Sequence, residues 1–186
     1  AWTFKSQELD DFEVYHAEQF AGKVQWDPSA NVAGRHNQMN ALAAIAAAYQ
    51  VGVSVLESTQ ALGQFKNVKR RLEVVGQVQN MTVYDDFAHH PTAIQTTIAG
   101  LRSKIGGARL IAVLEPRSNT MQLGIMKQQL SDSLQDAQQV FVYGAKTGKA
   151  TLGWDLKEAL KPLGEKVYAF DNLDQMVRQI VSYVKP

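Results

Sequence analysis

The stretch YDDFAHHP, from Tyr84 to Pro91, sets two carboxylates and two histidines within eight residues. Such a set could ligate a metal, act as an acid/base pair, or seat an anionic ligand. Histidine and aspartate suit zinc or manganese. Neighbouring side chains on an extended segment point to opposite faces, however, so Asp85 with Asp86, or His89 with His90, converge on one ion only across a sharp bend. No metal site is therefore expected here. A metal-dependent hydrolase built on DDFAHH stays open as an alternative, and stoichiometric zinc or manganese in the purified protein is its signature. A plainer alternative is that Asp86 caps a turn and the histidines finish the loop. Pro91 fits the first turn of a helix over PTAIQTTIAGLRSKI. The histidines then sit at a helix N-terminus, where unpaired N–H groups and the dipole favour an anion.

Other residue sets invite chemistry. In VLEPRSNTMQLG, Arg117, Ser118, Asn119 and Thr120 follow an apolar strand and a turn at Pro116. A guanidinium fork beside hydroxyl and amide groups suits a carboxylate or a peptide, while capping by Ser118 or Asn119 would explain two of the four. GAKTGKAT, from Gly144 to Thr151, falls short of a phosphate loop: the glycine spacing is one residue short and Ala150 replaces the needed hydroxyl. It reads as a glycine-rich turn with solvated lysines. Asn37 and Asn40 are three apart and share one helix face, with His36 at its start. They could read a nucleobase edge or act as local caps. KNVKRR gathers Lys66, Lys69, Arg70 and Arg71, a solvated surface or, at a domain cleft, a seat for phosphate.

These residues need elements to position them. Up to about Ala33 the chain reads as short strands, with FEVYH and KVQW alternating apolar and polar residues. An Ala-rich helix from about His36 to Gln50 follows, ended by Gly52, and then a shorter one over Ser54 to Leu62. From Leu72, apolar strands at TVYDD, RLIAVLE, QVFVYG and KVYAF alternate with helices beginning near Pro91, Thr120, Asp155 and Leu173. That alternation predicts an α/β fold, a doubly wound, mostly parallel sheet covered by helices, preceded by the tail of another domain. In such sheets ligands bind beyond the carboxyl ends of the strands, where both YDDFAHHP and EPRSNT would fall.

Composition narrows the class. The chain has 186 residues, 45% hydrophobic, with net charge +1, the profile of a soluble globular protein. No cysteine occurs, which excludes disulfides, thiolate metal sites and a cysteine nucleophile. The small net charge gives no reason to expect nucleic acid or an anionic membrane as partner. The longest apolar run, Ala41 to Tyr49, is far short of the roughly 20 residues that span a bilayer, so a cytoplasmic location is the default. The chain begins without Met and in mid-pattern, as a piece of something longer would.

Taken together, GRHNQMNALAAIAAA, ALGQFKNVKRRLE and VYDDFAHHPTAI resemble, in order and spacing, the Mur ligases, ATP-dependent amide-forming enzymes of bacterial peptidoglycan. LEPRSNTM resembles the branch that joins UDP-N-acetylmuramate to the tripeptide L-alanyl-γ-D-glutamyl-meso-diaminopimelate in cell-wall recycling; the branch that joins UDP-N-acetylmuramate to free L-alanine, which shares the DD, the HHPT and the helix asparagines, is the alternative within the family. The resemblance implies that residues 1–64 end a central ATPase domain and residues 65–186 form a Rossmann-like C-terminal domain. It implies ATP as cofactor, bound through Asn37, Asn40, Arg71 and Asp86, with Mg2+ held by residues outside this chain. Arg71 and His89 would be catalytic, and His89 with Arg117, Ser118, Asn119 and Thr120 would hold the substrate. The family's GKT-type phosphate loop is absent from these 186 residues, so the chain alone is expected to be inactive and to bind ATP poorly. A non-catalytic binding or assembly module is the alternative from another class.

Overall fold

The computed structural model describes residues 1–6, 11–30, 32, 34–146 and 151–184. The chain divides into two compact units, residues 1–87 with 99–106, and residues 88–98 with 107–186.

In the first unit β1 (Trp2–Ser6), β2 (Phe12–His16) and β3 (Gln19–Val24) form an antiparallel meander. Ala17 and Glu18 both take positive φ, 49° and 67°, the twist that a two-residue hairpin turn requires. Pairing therefore resumes at once, with Gln19 opposite His16. The third strand accordingly begins earlier than the expected KVQW and ends at Val24. Alternation turns Phe12, Val14 and Val24 inward, where they join Trp26, Ala41 and Ile45 in one core cluster. α1 (Arg35–Gln50) buries Gln38, Ala41 and Ile45, one stripe at helical spacing. The Gln38 amide is not stranded there, since its Nε2 donates to Ser6 Oγ at 3.0 Å. α2 (Val55–Gly63) starts on a capping box, Ser54 Oγ accepting from Glu57 N–H at 3.2 Å and the Glu57 carboxylate from Ser54 N–H at 3.0 Å.

β4 (Glu73–Val78) and β5 (Met81–Asp85) form a separate antiparallel hairpin. This corrects the expectation that TVYDD runs in the parallel sheet. EVVGQV lies immediately before it, and a near neighbour in sequence closes with the least loop entropy. The exposed valines 75, 78 and 83 also differ from a parallel strand covered on both faces.

In the second unit β6 (Ile111–Leu114), β7 (Gln139–Tyr143) and β8 (Val167–Phe170) form a parallel sheet in that order. Val140, Phe141 and Val142 of the middle strand are wholly buried, as a strand covered on both faces must be. α4 (Asn119–Gln122) and α5 (Lys127–Ser133) lead from β6 to β7. α6 (Leu156–Leu160) and a 3-10 stretch over Lys161–Lys166 lead to β8, and α7 (Leu173–Val184) follows. Leu130, Leu134 and Leu160 fill the core, and Phe141 meets Tyr183 of α7 edge-on at 5.7 Å. α3 (Pro91–Ile105) begins where Pro91 predicts, and Asp155 caps α6 as its position implies. The mixed α/β architecture is that of a Rossmann-like domain. Because the strands are parallel, the loops after Leu114, Tyr143 and Phe170 emerge at one edge of the sheet, where α/β sheets hold ligands. Among the described residues no helix is long and apolar enough to cross a membrane.

Candidate functional site

Within the first unit, the basic run and the acidic stretch lock together. Arg70 Nε pairs with Asp85 Oδ2 at 3.1 Å, and its guanidinium stands over the Phe87 ring, 5.1 Å from the centroid. Phe87 N–H donates to the Arg70 carbonyl at 2.8 Å, and Leu72 N–H donates to Asp86 Oδ2 at 2.9 Å. Asn67 Nδ2 donates to the Arg71 carbonyl at 2.9 Å. These bonds hold an uncommon backbone: Asn67, Arg70 and Leu72 all have positive φ, 65°, 60° and 48°. Left-handed non-glycine residues persist only where their surroundings fix them. Arg71 sits between two of them, with its side chain exposed. Asp86 thus does hold down a turn, the one beside Arg71.

His36, at the start of α1, belongs to the same neighbourhood. Burial lowers its imidazole pKa below the ordinary value; the Asp86 charge opposes that shift and the Arg71 charge adds to it. Gly34 makes room, since a Cβ there would stand 3.2 Å from the His36 ring, and its φ of +90° suits glycine alone. The charges of Asp86 and Arg71 are therefore both felt at His36. Asn37, half-buried, and Asn40, exposed, lie on α1 one turn apart. Sequence reasoning noted His36 and Arg70 only as neighbours of the asparagines and of Arg71. The signal for Arg70 was charge complementarity with the DD pair.

The second unit holds the other candidates. His89 is exposed, and its carbonyl accepts from Ser118 Oγ at 3.4 Å. His90 caps α3, its Nδ1 accepting from Thr92 N–H at 3.3 Å and its carbonyl from Ile94 N–H at 2.9 Å. Ser118 caps α4 by accepting from Met121 N–H, as the capping alternative foresaw. Its bond to His89 ties the two loops together. Arg117, Asn119 and Thr120 remain exposed, a cation, an amide and a hydroxyl on four consecutive positions with Ser118. In the GAKTGKAT loop, Lys146 pairs with Asp171 beyond the end of β8. Residues 147–150 lie outside the described residues. Among the described residues there is no group of three or more His, Asp or Glu side chains that could hold a metal ion.

Residues 70–186 match the family model of the Mur ligase, glutamate ligase domain. The UDP-N-acetylmuramate–L-alanyl-γ-D-glutamyl-meso-2,6-diaminoheptandioate ligase of Haemophilus influenzae is 43% identical over 97% of this chain, which covers 38% of that relative. A crystal structure of a murein peptide ligase from Psychrobacter arcticus superposes over 99% of this chain and 39% of its own, with TM-score 0.71 and 36% identity. The UDP-N-acetylmuramate–L-alanine ligase of Levilactobacillus brevis is 32% identical over 89% of this chain and 37% of its own length. The chain spans about two fifths of the length of these curated relatives. With the family model covering most of the sequence and the fold shared with a solved relative, the chain belongs to the Mur ligase family.

Proposed function

We propose that this chain is the C-terminal part of an ATP-dependent ligase that joins UDP-N-acetylmuramate to L-alanyl-γ-D-glutamyl-meso-diaminopimelate in peptidoglycan recycling. One observation carries the choice of acceptor: relatives named for the peptide hold 43% and 42% identity over 97% and 100% of the chain, whereas relatives named for alanine hold 41% over only 60% of it and 32% over 89%. The domain boundary falls near Gln64, residues 1–64 ending the ATPase domain and 65–186 forming the C-terminal one. The family match from residue 70 supports that division. Its substrates are ATP and a nucleotide-linked sugar, so the enzyme works in the cytoplasm, with Mg2+ supplied by ligands outside these residues.

The chemistry has two displacements. The muramate carboxylate attacks the γ-phosphorus of ATP and ADP leaves; the peptide amine then attacks the acyl carbon and inorganic phosphate leaves. Asn37 and Asn40 contact the adenine, and Asp86 lies at the ribose. Arg71 offsets charge on the transferred phosphoryl group, which its exposed guanidinium on a fixed backbone suits. His89 and the Arg117–Thr120 loop hold the acceptor, Arg117 taking a peptide carboxylate so that the amine is presented in line.

Phosphate release by the full-length enzyme tests this, with UDP-N-acetylmuramate, ATP, magnesium and either the tripeptide or free L-alanine. Turnover with the tripeptide alone, and a raised tripeptide KM in Arg117→Ala, is the expected result. Turnover with alanine alone moves the chain to the alanine ligases and leaves Arg117 without its role.

A further inference from the structure

We propose that Trp154 is a positioning residue for the acceptor loop: its indole fixes α4 and thereby sets the backbone that carries Arg117, Asn119 and Thr120. The proposal rests on the reading above that this loop holds the acceptor, whichever acceptor that is. The loop needs such a support. α4 has four residues, too few to hold a helical turn in water unaided, yet two of its polar side chains, Asn119 and Thr120, stand exposed for binding, with Arg117 just before them.

What fixes it comes from elsewhere in the chain. Trp154 Nε1 donates to the Met121 carbonyl at 2.7 Å from 33 residues away, and Gly153 N–H donates to the Gln122 carbonyl at 3.0 Å. Gln122 in turn donates its Nε2 to the Arg117 carbonyl at 2.6 Å. Gly153, the neighbour of Trp154, is thus two hydrogen-bonding steps from the Arg117 backbone, while the indole itself holds the preceding residue of the same turn. Space is also matched. Gly124 has φ +71°, and a Cβ there would stand 2.6 Å from Trp154 Cδ1; one at Gly153 would stand 3.3 Å from the Gln122 carbonyl. The two glycines let the two segments close to hydrogen-bonding distance. Met121, 2% exposed, pins the inner side of the same turn.

In the full-length ligase, Trp154→Phe keeps a ring and removes the N–H, while Gly124→Ala keeps the indole and forces it away. KM for the acceptor, ATP and UDP-N-acetylmuramate is measured for each, with hydrogen–deuterium exchange over residues 117–124 and, as control, over β7. Either variant should raise the acceptor KM roughly tenfold, the scale of one lost hydrogen bond. The other two KM values should stay unchanged, and exchange should quicken over 117–124 alone. An unchanged acceptor KM overturns the proposal, as does a uniform change in all three KM values with faster exchange in β7, which would make Trp154 an ordinary core residue. The acceptor is whichever of tripeptide or L-alanine the wild type turns over. Alanine alone refutes the peptide reading while Trp154 is still judged on the alanine KM, and if neither is used the exchange pattern decides.

Discussion

Replacing Asp86 by alanine, with asparagine beside it, tests the structural bond of its carboxylate apart from the role proposed for it at the ribose. In the structure its carboxylate accepts from Leu72 N–H at 2.9 Å, and Leu72 is 7% exposed with φ 48°. A hydrogen bond to a charged acceptor contributes about 1.5–3 kcal/mol net. Asp86 is itself partly exposed, which lowers that figure, and Leu72 recovers some left-handed strain on release. About 1–2 kcal/mol should therefore be lost locally, a roughly 5- to 30-fold fall in protection of the Leu72 amide. Amide exchange read at residue resolution is the assay. Asp86→Asn keeps an acceptor oxygen and should lose less than the alanine variant, while in the full-length enzyme it should still raise the ATP KM. Wild-type protection at Leu72 in Asp86→Ala would refute the reasoning and return Asp86 to a purely ligand-facing position.

His36 should make the first unit less stable in acid. Its folded pKa is lowered, by burial first, so the unfolded chain binds the extra proton: stability is fully present above the unfolded value of about 6.5 and is lost as pH falls through the lower folded one. Melting temperature measured from pH 8 down to pH 5 should fall in wild type and flatten in His36→Gln. Ser54→Ala removes the hydroxyl half of the α2 capping box, leaves the Ser54 N–H bond to Glu57, and should cost about 1 kcal/mol by urea denaturation. Phe141→Ala opens a cavity among Tyr168, Phe170 and Tyr183 and should cost about 3–5 kcal/mol, enough to unfold the second unit at moderate urea. Arg70→Ala breaks an ion pair whose side chains are 51% and 40% exposed. It should therefore cost under about 1 kcal/mol and less in high salt, unless the Phe87 contact carries the difference.

The sequence by itself determined the elements that depend on local signals. Helix starts at Pro91, Asp155 and Ser54 were legible because proline, aspartate and the S-x-x-E box act on the neighbouring turn alone. The strands at RLIAVLE and QVFVYG were legible because a strand buried on both faces must be apolar throughout. The loop after β6 could be singled out because its polar run interrupts such a strand. Three things awaited the tertiary structure. The partner of β5 did, since an amphipathic strand can pair on either side and only the competition between β4 and β6 decides. The setting of Arg71 did, because positive φ at Arg70 and Leu72 has no signature in residues other than glycine or asparagine. Finally, the bond from Trp154 to α4 joins residues 33 apart: no periodicity reaches that far, and only the folded chain brings a lone indole to the carbonyl it satisfies.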